Sequence, residues 1–512
     1  MRLLHLLKIA ASLLAAPAAA EPAADPPAAT LAATVPASPL PDLAAIRAGF
    51  AEWQAAQNVP GLVWGVVKDG ALVHVEGMGV ANLETKAPVT ADTRFRLASM
   101  TKALTGYTLL WARDYPSPGT PPRHLDMTVA EVTGRFTWAP TLKLADLMHH
   151  SAGFVTDDPW ADRQEDIDAA HVDALFGEPV PLSRAPGTAY EYSNTGYALM
   201  GEAVERWAGA PWIEVVEAQI FEPLGMRDSG FDIAAPSARP LAIGYRFENG
   251  RHSVEPQLRP GYYTPIGGII TTANDYAKWV AHLLSAWPAA ADPAPPEPER
   301  ARARIREMAR VGGHLHERAR PGANPNGCPP LVAGYGAGLV VAKDCTLGDL
   351  LFHSGGYPGY GSHMLLMPNA GVGLFAFANR TYAAPLPPVW SAADRLRAAG
   401  FIVDRPVPVS PHLAAAHAAA TRIWQAGSVE GPGEAPFLAI NMLLDRSADN
   451  WARHLAELKA AVGDCDTSAP IVPTGQLSGR FEWVCARGRI AGQLLLAPLR
   501  EPKIQALRLS RP

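Results

Sequence analysis

Cysteine is scarce in this chain, with four in 512 residues. No C-x-x-C pair and no mixed Cys/His spacing occurs, which removes the common zinc and thiol-redox patterns. An excess of positive charge is also missing. Lys and Arg number 44 against 49 Asp and Glu, a formal charge of −5, and nothing points to the clustered basic surface that a nucleic-acid partner would call for. The G-x-S-x-G elbow occurs nowhere, which disfavours an α/β-hydrolase. Beyond the N-terminus there is no apolar run long enough to span a bilayer. Charged residues make up only 18% of the chain and prolines number 49. That balance suggests stiff connecting segments in a globular protein.

The N-terminus reads as a secretory signal over residues 1–20. Arg2 and Lys8 supply positive charge, Ile9 to Ala16 form a short apolar core, and Ala18-Ala19-Ala20 offers a small-residue cleavage site. An uncleaved anchor is the alternative reading of the same stretch. Residues 21–41, rich in Ala and Pro, read as a flexible leader. A secreted or periplasmic protein with no stable membrane span after cleavage is expected. The cysteines fit that address. Cys328 lies near Cys345 and Cys465 near Cys485, so two local disulfides are allowed, with other pairings left open.

At this length a single core is exceeded and two or more domains are expected. A large domain over residues 42–400 and a small α+β unit over 410–512 meet near Arg405-Pro406-Val407-Pro408-Val409. In the first, Gly61 to Val67 reads as a buried strand, Asp69-Gly70 as a hairpin turn, and Ala71 to Glu76 as the returning strand. Helical patterns follow after Ser99, at Leu144 to His149, Tyr197 to Trp207, Trp212 to Phe221 and Ala273 to Leu284. Strands return at Gly338 to Ala342, Leu350 to His353, His363 to Met367 and Val372 to Asn379. The order predicts an α/β fold: a sheet built from both ends of the domain, flanked by helices, with a helical cluster inserted. The Arg-rich stretch Glu299 to Arg310 reads as a solvated surface helix. The C-terminal unit carries helices at Leu413 to Trp424 and Asn450 to Val462, then three strands, and no catalytic constellation.

Chemistry enters at Ser99-Met100-Thr101-Lys102. Residues three apart share a helix face, so the Lys102 amine can sit beside the Ser99 hydroxyl and take its proton if it is desolvated. A second motif, Tyr192-Ser193-Asn194, offers a phenol that could carry protons, with Lys102 favouring its phenolate form. Its Asn194 amide is suited either to a substrate carbonyl or to holding Lys102. The third motif, His353-Ser354-Gly355-Gly356, follows a short apolar strand. There glycines would let a substrate lie against the backbone, and the Gly356 amide could join that of Ser99 in an oxyanion hole. Each motif alone is common. A metal site built from His149, His150, His353 and His363 is disfavoured, because adjacent residues on a helix diverge by about 100°.

The three motifs in this order resemble the penicillin-recognising serine hydrolases, specifically the class C β-lactamase group with its esterase and D-aminopeptidase relatives. Further stretches share the resemblance: His150-Ser151-Ala152-Gly153, Pro186-Gly187-Thr188, Pro223-Leu224-Gly225-Met226 and Gly267-Gly268-Ile269-Ile270-Thr271-Thr272. It covers roughly residues 43–379. The resemblance implies a β-lactamase/transpeptidase-like fold with no metal or organic cofactor. It makes Ser99 the acylated nucleophile, Lys102 and Tyr192 the proton-transfer pair, and Asn194 a substrate-positioning residue. Substrate and oxyanion contacts would come from His353, Ser354, Gly355 and Gly356.

One departure bears on the substrate. Where β-lactamases and DD-peptidases usually carry K-T-G, this chain has His353-Ser354-Gly355, and a mostly neutral histidine attracts a carboxylate less well than lysine does. The expectation is therefore an exported serine hydrolase cleaving esters or amides of small molecules or peptides. A β-lactamase or DD-peptidase, and a non-catalytic cell-envelope binding protein, are the alternatives.

Overall fold

Asp69 and Gly70 turn the chain back on itself with φ of 49° and 84°, the left-handed pair that a two-residue hairpin needs. The computed structural model describes residues 40–41, 43–177, 179–235, 237–288, 296–321, 327–431, 433 and 435–511. The expected signal, and the leader as far as residue 39, lie outside the described residues.

The hairpin joins β1 (Gly61–Lys68) to β2 (Ala71–Gly79), and six further strands complete the main sheet. These are β3 (His316–Arg318), β4 (Leu331–Tyr335), β5 (Val340–Asp344), β6 (Gly348–Tyr357), β7 (Tyr360–Met367) and β8 (Val372–Ala378). Their order across the sheet is β2-β1-β8-β7-β6-β5-β4-β3, with every neighbouring pair antiparallel. The first and last strands of the domain thus pair in the sheet interior, as the sequence order predicts. β7 and β8 are buried along their whole length, which explains their near-continuous apolar sequence.

Three helices matter for the site. They are α1 (Ala44–Ala56), α2 (Lys102–Asp114) and α3 (Asn194–Ala208). α2 is buried almost throughout, and α3 begins on Ser193, whose hydroxyl accepts the Gly196 amide. Two separate apolar cores exist, one drawing on residues from Ile46 to Ile402 and the other from Leu413 to Leu509. The second underlies a five-stranded antiparallel sheet packed with the helices Pro411–Ala426 and Ala448–Val462. Both disulfides are local, Cys328–Cys345 and Cys465–Cys485.

Two sequence expectations are revised. The Arg-rich helix runs over Pro296–Met308 and is not simply solvated. Arg304 is buried, its guanidinium 5.0 Å from the Tyr107 ring centre and donating to the Tyr107 hydroxyl. A charge-rich sequence hides such a residue, because one buried cation stacked on an aromatic leaves no mark on the local pattern. The second revision concerns His353-Ser354-Gly355-Gly356. It does not end a strand but lies within β6, paired residue by residue with β7 from Leu351↔Leu366 to Tyr357↔Tyr360.

Candidate active site

Ser99 sits on a single 3-10 turn, Ala98–Thr101, that feeds into α2. The turn begins with Ala98 at φ 52°, a left-handed conformation that costs a non-glycine residue about 1–2 kcal/mol. What holds it there is β6. A Cβ on Gly355 would fall 2.4 Å from the Leu97 carbonyl oxygen and 2.9 Å from the Ala98 Cβ. Only glycine therefore lets the strand approach the Ser99 turn so closely.

Lys102 lies one helical turn on, completely buried. Its Nζ is 3.0 Å from Ser99 Oγ, 2.6 Å from Asn194 Oδ1 and 3.0 Å from the Ile266 carbonyl oxygen. The last two partners can only accept. A neutral Lys102 would keep both of its N–H bonds on them, leaving its lone pair directed at Ser99 Oγ. Burial lowers the Lys102 pKa to about 8, against the opposing pull of Asp158, Asp162 and Asp157.

Those three carboxylates belong to Asp157-Asp158-Pro159-Trp160-Ala161-Asp162, a segment that sequence reasoning passed over. Asp157 takes the amides of Asn194 and Thr195 at 2.6 and 2.9 Å and so closes the N-terminus of α3. Asp158 takes the Asn194 Nδ2 at 2.8 Å. Asn194 thus presents its oxygen to Lys102 and its nitrogen to the acidic segment. Of the two roles open to it in sequence, the geometry matches the one that holds Lys102. The available signal was three carboxylates around a proline, a few residues after the His150-Ser151-Ala152-Gly153 stretch.

Tyr192 is brought in by that same stretch. The Glu191 and Ser193 amides donate to the His150 carbonyl and to His150 Nδ1, at 2.8 and 3.1 Å. The Tyr192 ring centre lies 5.1 Å from Lys102 Nζ, with its hydroxyl on the Ser99 side. Burial first, then Asp158, raises its pKa well above the ordinary phenol value. The resting side chain is therefore a neutral phenol. Burial disfavours the phenolate that the sequence suggested, and Asp158 adds to the effect.

His353 meets the Tyr335 hydroxyl through Nε2 at 2.7 Å and the Ser354 carbonyl oxygen through Nδ1 at 2.6 Å. A carbonyl only accepts, so Nδ1 carries the proton and Nε2 receives the Tyr335 O–H. Burial and the nearby Lys102 hold the His353 pKa down at about 3. The ring is neutral at physiological pH and both its nitrogens are engaged.

Ser354 faces the other way, as successive strand residues must. Its Oγ lies 3.0 Å from His363 Nδ1, and His363 Nε2 receives the Trp390 indole N–H at 3.1 Å. Because the indole can only donate, His363 holds its proton on Nδ1 and gives it to Ser354. The Ser354 side chain joins this cluster while remaining partly exposed. Gly355 and Gly356 complete the wall beside Ser99, paired with Ser362 and Gly361.

The comparisons with known proteins bear on the family and the fold. The Beta-lactamase family model matches residues 46–399. A D-aminopeptidase of Gluconobacter oxydans is 29% identical over 46% of this chain and 44% of its own length. Esterase EstB of Burkholderia gladioli is 30% identical over 44% of this chain and 59% of its own. The chain thus spans about half the length of these curated relatives. Among solved structures, an octameric penicillin-binding protein homologue from Pyrococcus abyssi shares the fold, with a TM-score of 0.55, 19% identity, and coverage of 92% of this chain and 100% of that one. An antiparallel sheet with inserted helices, a small α+β unit following it in the chain, and a family model matched across the large domain together place this chain in the Beta-lactamase family.

Proposed function

We propose that the protein is an exported serine hydrolase that cleaves ester or amide bonds of small molecules or peptides through an acyl-Ser99 intermediate. The observation that carries this reading is the contact of Lys102 Nζ with Ser99 Oγ at 3.0 Å, with the other two Lys102 partners acceptors only. A neutral Lys102 takes the Ser99 proton as Oγ attacks the carbonyl carbon. The oxyanion lies between the backbone amides of Ser99 and Gly356. Tyr192, a neutral phenol beside Lys102, passes a proton to the leaving group and is reprotonated through Lys102. Water then attacks the acyl carbon by the reverse relay and frees Ser99.

The neutral, doubly engaged His353 supplies no cation for a carboxylate. That favours esterase-like or D-aminopeptidase-like substrates over β-lactams and terminal D-alanine peptides. The Ala-rich N-terminus and the two disulfides support export.

Stopped-flow hydrolysis of p-nitrophenyl acetate by the mature protein and by Ser99→Ala tests the reading. The expected result is a burst of nitrophenol equal to the enzyme concentration, absent from the variant. Tight ligand binding by both proteins without turnover would instead identify a binding protein.

A further inference from the structure

Tyr382 stands out among the residues near the site. It has φ 56°, a conformation that is a genuine outlier for a bulky residue, and its side chain is 45% exposed. Its backbone is nonetheless tied down, because its amide reaches the carbonyls of Tyr357 and Tyr360 at 3.3 and 3.2 Å, at the tip of the β6–β7 hairpin. Ordered backbone strain with an exposed ring is the combination that a functional constraint produces.

The ring touches both walls of the cleft. On one side a Cβ on Gly356 would meet Tyr382 Cδ1 at 2.7 Å. On the other, the Tyr382 hydroxyl faces Asp162. Asp162 in turn faces the Asn194 amide that holds Lys102. Burial, then Asp162, keeps the phenol protonated and donating.

We infer that Tyr382 is a specificity-determining residue: fixed at the hairpin tip, its ring fills the space beside Gly356 and restricts the enzyme to substrates with small acyl groups. The inference rests on the acyl-Ser99 reading. With the carbonyl oxygen at the Gly356 amide, the acyl group is the part of the substrate that stays beside this strand through both acylation and deacylation. A leaving group departs after the first. A rigid ring at that place therefore limits acyl size in both steps.

The test uses Tyr382→Gly, which removes the ring and suits the positive φ, and Tyr382→Phe, which keeps the ring and removes the hydroxyl that faces Asp162. Rates of Ser99 labelling by fluorophosphonates with ethyl and octyl chains are followed by intact mass, beside kcat/KM for p-nitrophenyl acetate and octanoate. In Tyr382→Gly the octyl-to-ethyl labelling ratio and the octanoate-to-acetate ratio each rise by at least about tenfold, the scale on which an apolar pocket discriminates. Tyr382→Phe shows a smaller rise in the same direction. Labelling of Ser99 with an unchanged chain-length ratio in Tyr382→Gly would overturn the size filter while leaving the serine-hydrolase reading intact. A uniform drop for both chain lengths would do the same and mark Tyr382 as structural. Absence of any Ser99 adduct in wild type and variants would overturn both readings.

Discussion

Arg96 and Glu165 form an ion pair of 2.7 Å with side chains 0% and 1% exposed, directly behind the Ser99 turn. Arg96 precedes that turn, and Glu165 lies three residues past the acidic segment that grips Asn194. Tyr357, one residue past Gly356, donates its hydroxyl to the same carboxylate. One buried cluster thus ties together the three strands of chain that carry the site.

Breaking it from one side should be costly. Arg96→Met strands a buried carboxylate and is expected to remove about 3–5 kcal/mol of stability, measured by equilibrium urea unfolding. The double variant Arg96→Met/Glu165→Leu should lose less than Arg96→Met alone. If the double loses as much as the sum of the singles, the ion pair is not what holds these segments.

The rate should follow the ionisation of Lys102. Its neutral form is the active one, so kcat/KM rises with pH on an acid limb centred near the lowered value of about 8. Asp158 and its neighbours favour the ammonium. Asp158→Asn therefore weakens that support and moves the limb to lower pH, visible in a kcat/KM profile. A limb that stays put, or moves up, would contradict Lys102 as the base.

Tyr192→Phe keeps the ring beside Lys102 and removes the proton that reaches the leaving group. A loss of about 10²–10⁴ in kcat is expected, the usual range for one acid–base group. The loss should be smaller for p-nitrophenyl esters, whose leaving group needs no proton, than for amides or alkyl esters. Equal losses on both would assign Tyr192 a role other than the leaving-group proton.

Gly355→Ala places a methyl against the Leu97 carbonyl and Ala98. Because these are backbone and a short side chain, they have little room to yield, and the Ser99 turn must shift. A displacement of about 1 Å can cost on the order of 10² in rate, so kcat falls by that scale. The drop should come with slower labelling of Ser99 by a small fluorophosphonate, since the nucleophile itself is displaced. A variant with near wild-type kcat would show that the turn is not braced by β6.

The buried histidines give the fold a pH dependence of definite sign. His363 is held at about 3 by burial first, with His353 and Arg318 adding to the depression. It stays neutral when folded and takes a proton near pH 6.5 when unfolded. Its contribution is therefore complete above about pH 6.5 and is lost as the pH falls toward 3. At pH 5.5 the loss is about 1.4 kcal/mol. In His363→Gln, which can still accept from Trp390, the fall in unfolding free energy between pH 7.5 and 5.5 should be shallower by about that amount.

The parts of this molecule readable in sequence are those set by local pattern. The Asp69-Gly70 turn, the apolar runs of β1, β7 and β8, and the one-turn spacing of Ser99 and Lys102 need only neighbours. Asn194 as the partner of Lys102 was one of two readings of its amide, and the fold selects it. What the sequence hid depends on contacts across the chain. Asp158 gains meaning only when Asn194 arrives, and Tyr382 only when Gly356 and Asp162 flank it. The contact of Ser354 with His363 was hidden because a strand was taken to stop at His353. Alternation along the continuing strand turns its hydroxyl toward His363.

The pairing of β1 with β8 sets when the site can exist at all. The Gly61 amide donates to Asn379 Oδ1 at 2.7 Å, so the earliest strand of the domain waits for the latest residues to arrive. A growing polypeptide displays Ser99, Lys102 and Asn194 long before their sheet can close. Premature termination or a proteolytic cut that removes the β8 segment should therefore silence the protein outright, although every proposed catalytic side chain remains on the surviving fragment.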